Sequence, residues 1–164
     1  MDDGTYTIVI VLIFVFLFAA LIGIFIYVAW KKQEINNKIE GLANGVEELT
    51  PEEFFKLRNY SFGGRGGPSY ARKQNFAGIY ILFNKTRNMY YVGQAQKILD
   101  RVNNHFTGKG NGDVYADYKY GCQFTIKMIA LRNSGFSSLN ELERSVIAKY
   151  NAFSKGYNKT RGNR

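Results

Sequence analysis

The stretch GIYILFNKTRNMYYVGQ (residues 78–94) holds two apolar, aromatic-rich runs on either side of a polar pentapeptide. The runs at 78–83 and 89–93 are rich in Ile, Tyr, Phe and Val, which suit a pleated, half-buried surface. With NKTRN as the connection they predict a β-hairpin. Tyr80 falls on the first strand and Tyr91 on the second. Packing is the usual work of tyrosines on strands, so the hairpin leaves open whether these two carry chemistry.

Downstream of the hairpin the period changes. Ile98, Leu99, Val102 and Phe106 stand at helical spacing and predict a helix over 95–106. Arg101 and His105 lie at i and i+4 on that helix, bordering its apolar stripe, so they reach one edge of the fold together. Residues 108–120, rich in Gly, Asp and Tyr, read as a loop. A third strand fits 122–131, with Cys122 as a packing residue. Ser138 and Glu141 have capping-box spacing and open a helix over 139–150. The order β-β-α-β-α describes a small α/β domain: a central three-stranded, largely antiparallel sheet flanked by helices. In its last helix Leu139, Leu142, Val146, Ile147 and Tyr150 form the apolar stripe, and Glu143 falls inside it while Glu141 points away. A carboxylate on a buried face is costly unless it is paired or binds a cation, so Glu143 is either a salt-bridge partner or a metal ligand.

Upstream, residues 8–30 are 23 positions without a charge. A helix of that length spans about 35 Å, enough to cross a hydrocarbon core. The acidic start at Asp2 and Asp3 and the long apolar run fit a retained transmembrane helix better than a cleaved signal peptide. Tyr27 and Trp30 suit the interface, and Lys31 and Lys32 place the N-terminus outside and the rest in the cytoplasm. Sequons at Asn59, Asn84 and Asn158 point the same way, since a luminal domain would expose them to modification. Ala19 and Gly23 have the small-xxx-small spacing of paired helices, which would supply a homo-oligomer partner, though ordinary membrane composition produces it too. The chain thus divides by composition into an anchor (1–32), a polar and Gly-rich spacer (33–75) and a domain (76–164). Within the spacer, Thr50, Pro51 and Glu53 open a short helix over 51–58. The Gly-rich run that follows is a linker in which Arg65 alone offers an RGG-like nucleic-acid contact.

The formal net charge of +9 conceals an asymmetry. Residues 1–53 carry 3 Lys/Arg against 8 Asp/Glu, whereas residues 54–164 carry 19 against 5. So basic a half fits a polyanion such as nucleic acid, or an anionic membrane surface. One cysteine and one histidine exclude an intrachain disulfide and Cys- or His-rich metal sites.

Taken in order, Gly78-Ile79-Tyr80, Tyr91-Val92-Gly93, Arg101, His105, Glu143 and Gly156-Tyr157-Asn158 resemble the signature of the GIY-YIG nuclease family. The resemblance covers residues 76 to 159, with Val92 where the family usually has isoleucine. It implies a divalent-metal-dependent endonuclease acting on DNA, with Mg²⁺ or Mn²⁺ at Glu143. Tyr80 would activate water, directly or through His105, while Arg101 and Tyr91 hold phosphate oxygens and Asn158 orients a neighbour. Lys85, Arg87, Lys97, Lys109 and Lys119 are then candidate backbone contacts. Two other functions fit the same residues. One is a non-catalytic module tethering DNA or a protein at the membrane. The other is a mobile-element or repair endonuclease whose specificity comes from a partner.

Overall fold

The computed structural model describes residues 3–64 and 66–163, so the acidic Asp2 and the Arg65 contact lie outside the described residues. Along these residues the elements run in the order α1 (Asp3–Asn44), α2 (Pro51–Asn59), α3 (Tyr70–Gln74), β1 (Gly78–Asn84), β2 (Met89–Ala95), α4 (Ile98–Phe106), α5 (Gly112–Lys119), β3 (Phe124–Ala130) and α6 (Leu139–Lys149). The chain divides into a unit ending at Lys38 and one beginning at Ile39.

In the first unit, α1 is long and apolar enough to cross a membrane, with a mean hydropathy of 3.4 in its most apolar window. Among the described residues it is the one helix that passes this test. Its side chains from Ile8 to Trp30 are exposed throughout. By length and composition such a helix could cross a hydrocarbon core.

In the second unit β1 is the central strand, antiparallel to β2 on one side and to β3 on the other. The register opposes Tyr80 to Gly93 and Met128, and Ile81 to Val92 and Lys127. Successive residues alternate faces. Tyr80 and Leu82 therefore join the cluster made with α2 and α4, where Phe54, Leu99, Val102 and Phe106 are buried. Ile79 and Ile81 face the other way, where α6 packs on β1 and β2. In the hairpin turn Asn88 takes a left-handed φ of 54°, a conformation Asn tolerates better than most residues.

The expected order β-β-α-β-α holds, with one addition. The segment read as a loop at 108–120 contains α5. Asn111 caps it, its side chain accepting from the backbone N–H groups of Asp113 and Val114, and the buried Val114 and Asp117 fix it to the core. The reciprocal capping box at Thr50 and Glu53 forms as expected. At α6 the Ser138 side chain accepts from the Glu141 N–H, but Glu141 reaches back to the N–H of Ser137 instead of closing a box. Residues 39–75, set apart by composition, pack in the same unit as the sheet. Ile39, Ala43, Leu49, Phe54 and Ala71 are buried, and Leu49 pairs with Ile126 through two backbone hydrogen bonds that cover the outer edge of β3. Asn84 is fully buried and Asn158 is bonded to β2, so a glycan at either would require local unfolding, and their sequons carry no information on sidedness.

Candidate active site

The edge strand away from β3 is β2, and of the residues singled out from the sequence Tyr80, Tyr91, Arg101, Glu143 and Asn158 converge around its centre. A cleft of about 290 Å³ is walled by Tyr80, Tyr91, Gly93, Arg101, Glu143 and Asn158, with Gln94 and Lys159 also on its surface. Tyr80 and Tyr91 reach it from the face under α4, and Glu143 reaches it from α6 on the opposite face. The cleft therefore wraps the strand edge.

Tyr80 is 1% exposed. Its ring lies across the backbone of β2 opposite Gly93, where a Cβ would collide with Tyr80 Oη and Cζ. This is the physical reason for glycine at the end of Tyr91-Val92-Gly93. Gly93→Ala is expected to force the Tyr80 ring from its place, at the cost of about 1–3 kcal/mol typical of overpacking. A fall in thermal midpoint read by circular dichroism checks this.

Behind Tyr80, and outside the cleft, lies His105, which is 0% exposed. Its Nε2 stands 2.8 Å from Tyr80 Oη. Its Nδ1 accepts the backbone N–H of Asn111 at 2.9 Å. A nitrogen that accepts an N–H carries no proton, so the neutral ring has its hydrogen on Nε2 and donates it to Tyr80. Gly110 permits the loop to approach this closely, since a Cβ there would lie 2.6 Å from His105 Nδ1. In this arrangement the imidazole has no free lone pair toward the cleft. In this tautomer it donates to the phenol oxygen and holds the ring in orientation.

The electrostatics agree. Burial, followed by the Arg101 charge, pushes the His105 imidazole down to about 4. Burial holds the Tyr80 phenol well above its ordinary value, Tyr91 adds to the rise, and Arg101 pulls it partly back. The His105 shift has a consequence for stability. Because the folded value lies below 6.5, the unfolded chain takes up a proton between about pH 6.5 and pH 4 that the native chain does not. The neutral ring's contribution is therefore complete above pH 6.5 and falls away as pH drops toward 4. Thermal midpoints at pH 7.5 and pH 5 should fall further for the wild type than for His105→Gln.

Glu143 is 7% exposed, as its place in the apolar stripe of α6 requires. Its Oε2 accepts from Gln94 Nε2 at 3.0 Å and from the backbone N–H of Asn163 at 3.1 Å. Among the described residues no Lys or Arg pairs with it. Of the two readings open for this carboxylate, the salt bridge is thus absent. A buried carboxylate held only by neutral donors, on the wall of a cleft, fits a hard divalent cation. No group of three His, Cys, Asp or Glu side chains converges among the described residues, so water and phosphate oxygens would complete the coordination. Asn158 binds the edge strand at both ends of its amide: Oδ1 accepts from the Val92 N–H at 2.9 Å and Nδ2 donates to the Val92 carbonyl at 2.7 Å. It fixes the strand that carries Tyr91 and Gly93.

The five candidate backbone contacts scatter. Lys85 lies 3.8 Å from Glu48, and Arg87 makes a 3.1 Å ion pair with Asp117. Lys109 is exposed in the loop between α4 and α5, Lys119 is exposed at the end of α5, and Lys97 lines a separate pocket. Several cleft residues escaped the sequence reading. Gln94 directly follows the second strand motif and alternates onto the Glu143 side, which was a usable signal. Asn111 and Asn163 act through backbone N–H groups, which no residue type announces. Lys159 stands at the cleft with a 3.0 Å ion pair to Asp113.

The family model described as the GIY-YIG catalytic domain matches residues 76–158, just over half of the 164-residue chain. No curated protein and no solved structure matches the chain significantly. The matched span begins two residues before Gly78 and ends on Asn158, so it takes in the strand hairpin, α4, β3 and α6 together with the cleft they build. On that match and this architecture, the chain belongs to the GIY-YIG family.

Proposed function

We propose that this protein is a membrane-anchored endonuclease that hydrolyses DNA phosphodiesters with Mg²⁺ or Mn²⁺ at Glu143. The observation that carries the reading is the cleft itself. Two tyrosines, an arginine and a buried carboxylate without a cationic partner among the described residues meet at one strand edge in a domain of a nuclease family.

Arg101, exposed at the rim, offers a planar fork of N–H donors to a phosphate. It opposes the negative charge that grows on the phosphate oxygens in the transition state. The Tyr91 hydroxyl donates to another of those oxygens. Tyr80 Oη accepts the Nε2–H of His105, which leaves its own hydroxyl hydrogen for the cleft. Burial keeps this phenol protonated in the free protein. It becomes a base for the attacking water only after its hydroxyl proton has passed to solvent through the open cleft, the phenolate so formed being stabilised by Arg101 and His105. A bound divalent cation supplies Lewis-acid charge to the phosphate oxygens. Asn158 and Gln94 keep β2 and Glu143 in place.

By the positive-inside rule, Lys31 and Lys32 put the domain in the cytoplasm. A nuclease held at the inner face would meet DNA as it enters the cell and would spare the chromosome by position. Defence against incoming DNA is the role we infer from this. Incubating the full-length chain in detergent with circular and linear DNA and either metal tests the activity. Nicked or shortened products are expected. DNA retained on the protein with no product in either metal would favour a tethering module instead.

A further inference from the structure

A second pocket, of about 250 Å³, lies away from the cleft between α2, α3 and the start of α4. It brings together Arg58, Arg72 and Lys97, with Asp100 as the one carboxylate on its wall. Asp100 is already engaged. Its Oδ1 accepts from Arg58 Nη2 at 3.2 Å and its Oδ2 from Asn75 Nδ2 at 3.0 Å. Asn75 in turn accepts the Leu99 N–H at 2.9 Å, which ties the pocket floor to the first turn of α4. The Arg58 guanidinium is held in a fixed orientation, with Nη1 donating to Asn59 and Nη2 to Asp100. Its Nε is enclosed and has no acceptor among the described residues. Arg72 and Lys97 are exposed and, among the described residues, have no carboxylate partner.

Three cations around one carboxylate leave the pocket with a net formal charge of +2, and a fixed guanidinium beside two free cations is suited to a tetrahedral dianion or monoanion. Its position says which anion. Lys97 is the N-cap of α4, and Arg101 follows one helical turn later on the same helix. The two are separated by about 6 Å along the axis, comparable to two nucleotides of rise on one strand. Arg58 and Arg72 precede the residues matched by the family model, so the pocket is added to the catalytic domain by this chain's own upstream segment.

We propose that this pocket is a non-catalytic phosphate subsite that grips the DNA backbone near the phosphate presented to the cleft. The inference rests on the DNA-cutting function proposed above. The test uses the full-length chain in detergent, without metal, and a labelled duplex carrying a single uncharged methylphosphonate moved along one strand. Neutralising the phosphate that sits in the pocket should weaken wild-type binding about tenfold, whereas Arg72→Ala/Lys97→Ala should bind more weakly overall and ignore that one substitution. Its slope of log affinity against log salt should also be shallower by about 0.9 for each phosphate the variant no longer neutralises. Both side chains are exposed, so the variant retains the fold. Identical methylphosphonate maps and salt slopes for the two proteins, with DNA still cut by the wild type when metal is added, would overturn the subsite and leave the nuclease standing. A wild type that neither binds nor cuts DNA would overturn both.

Discussion

Glu143→Gln is expected to abolish metal-dependent cleavage, with a loss of at least about a thousandfold in single-turnover rate, the scale on which electrostatic stabilisation of a transition state acts. The substitution keeps the side chain's volume and one carbonyl oxygen. It can therefore still accept from Gln94 and from the Asn163 N–H, as the carboxylate does. What it loses is the charge that a hard cation requires. DNA affinity without metal should not fall, because removing a negative charge from the cleft favours a polyanion. Stability should hold or rise, since the carboxylate is 7% exposed and has no cationic partner among the described residues. A drop in cleavage with unchanged folding and unimpaired binding separates this role from a structural one.

Tyr80→Phe is expected to lower the cleavage rate by about a hundredfold to ten-thousandfold, the usual contribution of a positioned acid–base group. The ring fills the same volume beneath Gly93, so packing is retained and only the oxygen is lost. The His105 Nε2–H, which donates to that oxygen, is then left buried without an acceptor. A cost of about 1–3 kcal/mol in stability should accompany the lost rate. The pH profile gives a second readout. Burial raises the phenol above its ordinary value, so the wild-type rate should climb with pH through the alkaline range as the phenolate becomes accessible. Tyr80→Phe should flatten that limb. A variant that retained both the rate and the slope would remove Tyr80 from the chemistry.

Much of the site was legible because its residues sit where local periodicity places them. Strand alternation put Tyr80 and Tyr91 on the hairpin, and helical phase put Glu143 in the buried stripe. The four-residue interval placed Arg101 and His105 on one helix, but His105 is buried behind Tyr80 while Arg101 is exposed at the cleft. What escaped depended on tertiary partners. The role of His105 is set by the Asn111 N–H, and that loop reaches the imidazole only because Gly110 lets it pass. The sequence left a base and a relay open for His105, and only the hydrogen-bond geometry shows which of its nitrogens faces Tyr80. The helix α5 was hidden by Gly108, Gly110 and Gly112, although the Asn111 cap, Asp113 in the first turn and Lys119 in the last were local signals for it. The upstream segment looked like a spacer because its apolar residues are sparse. Leu49, Phe54 and Ala71 are nevertheless enough to dock it on the sheet, and with it come Arg58 and Arg72.

The central claim is that this cleft directs water at the phosphorus of a DNA backbone. Single-turnover cleavage by the full-length chain, in detergent with Mg²⁺ or Mn²⁺ and in water labelled with heavy oxygen, tests it most directly. The predicted result is strand scission that EDTA prevents, one labelled oxygen on each new terminal phosphate, and no protein–DNA adduct at any time. DNA that stays bound and uncut in both metals, or a covalent tyrosyl–DNA species on the way to product, would contradict it.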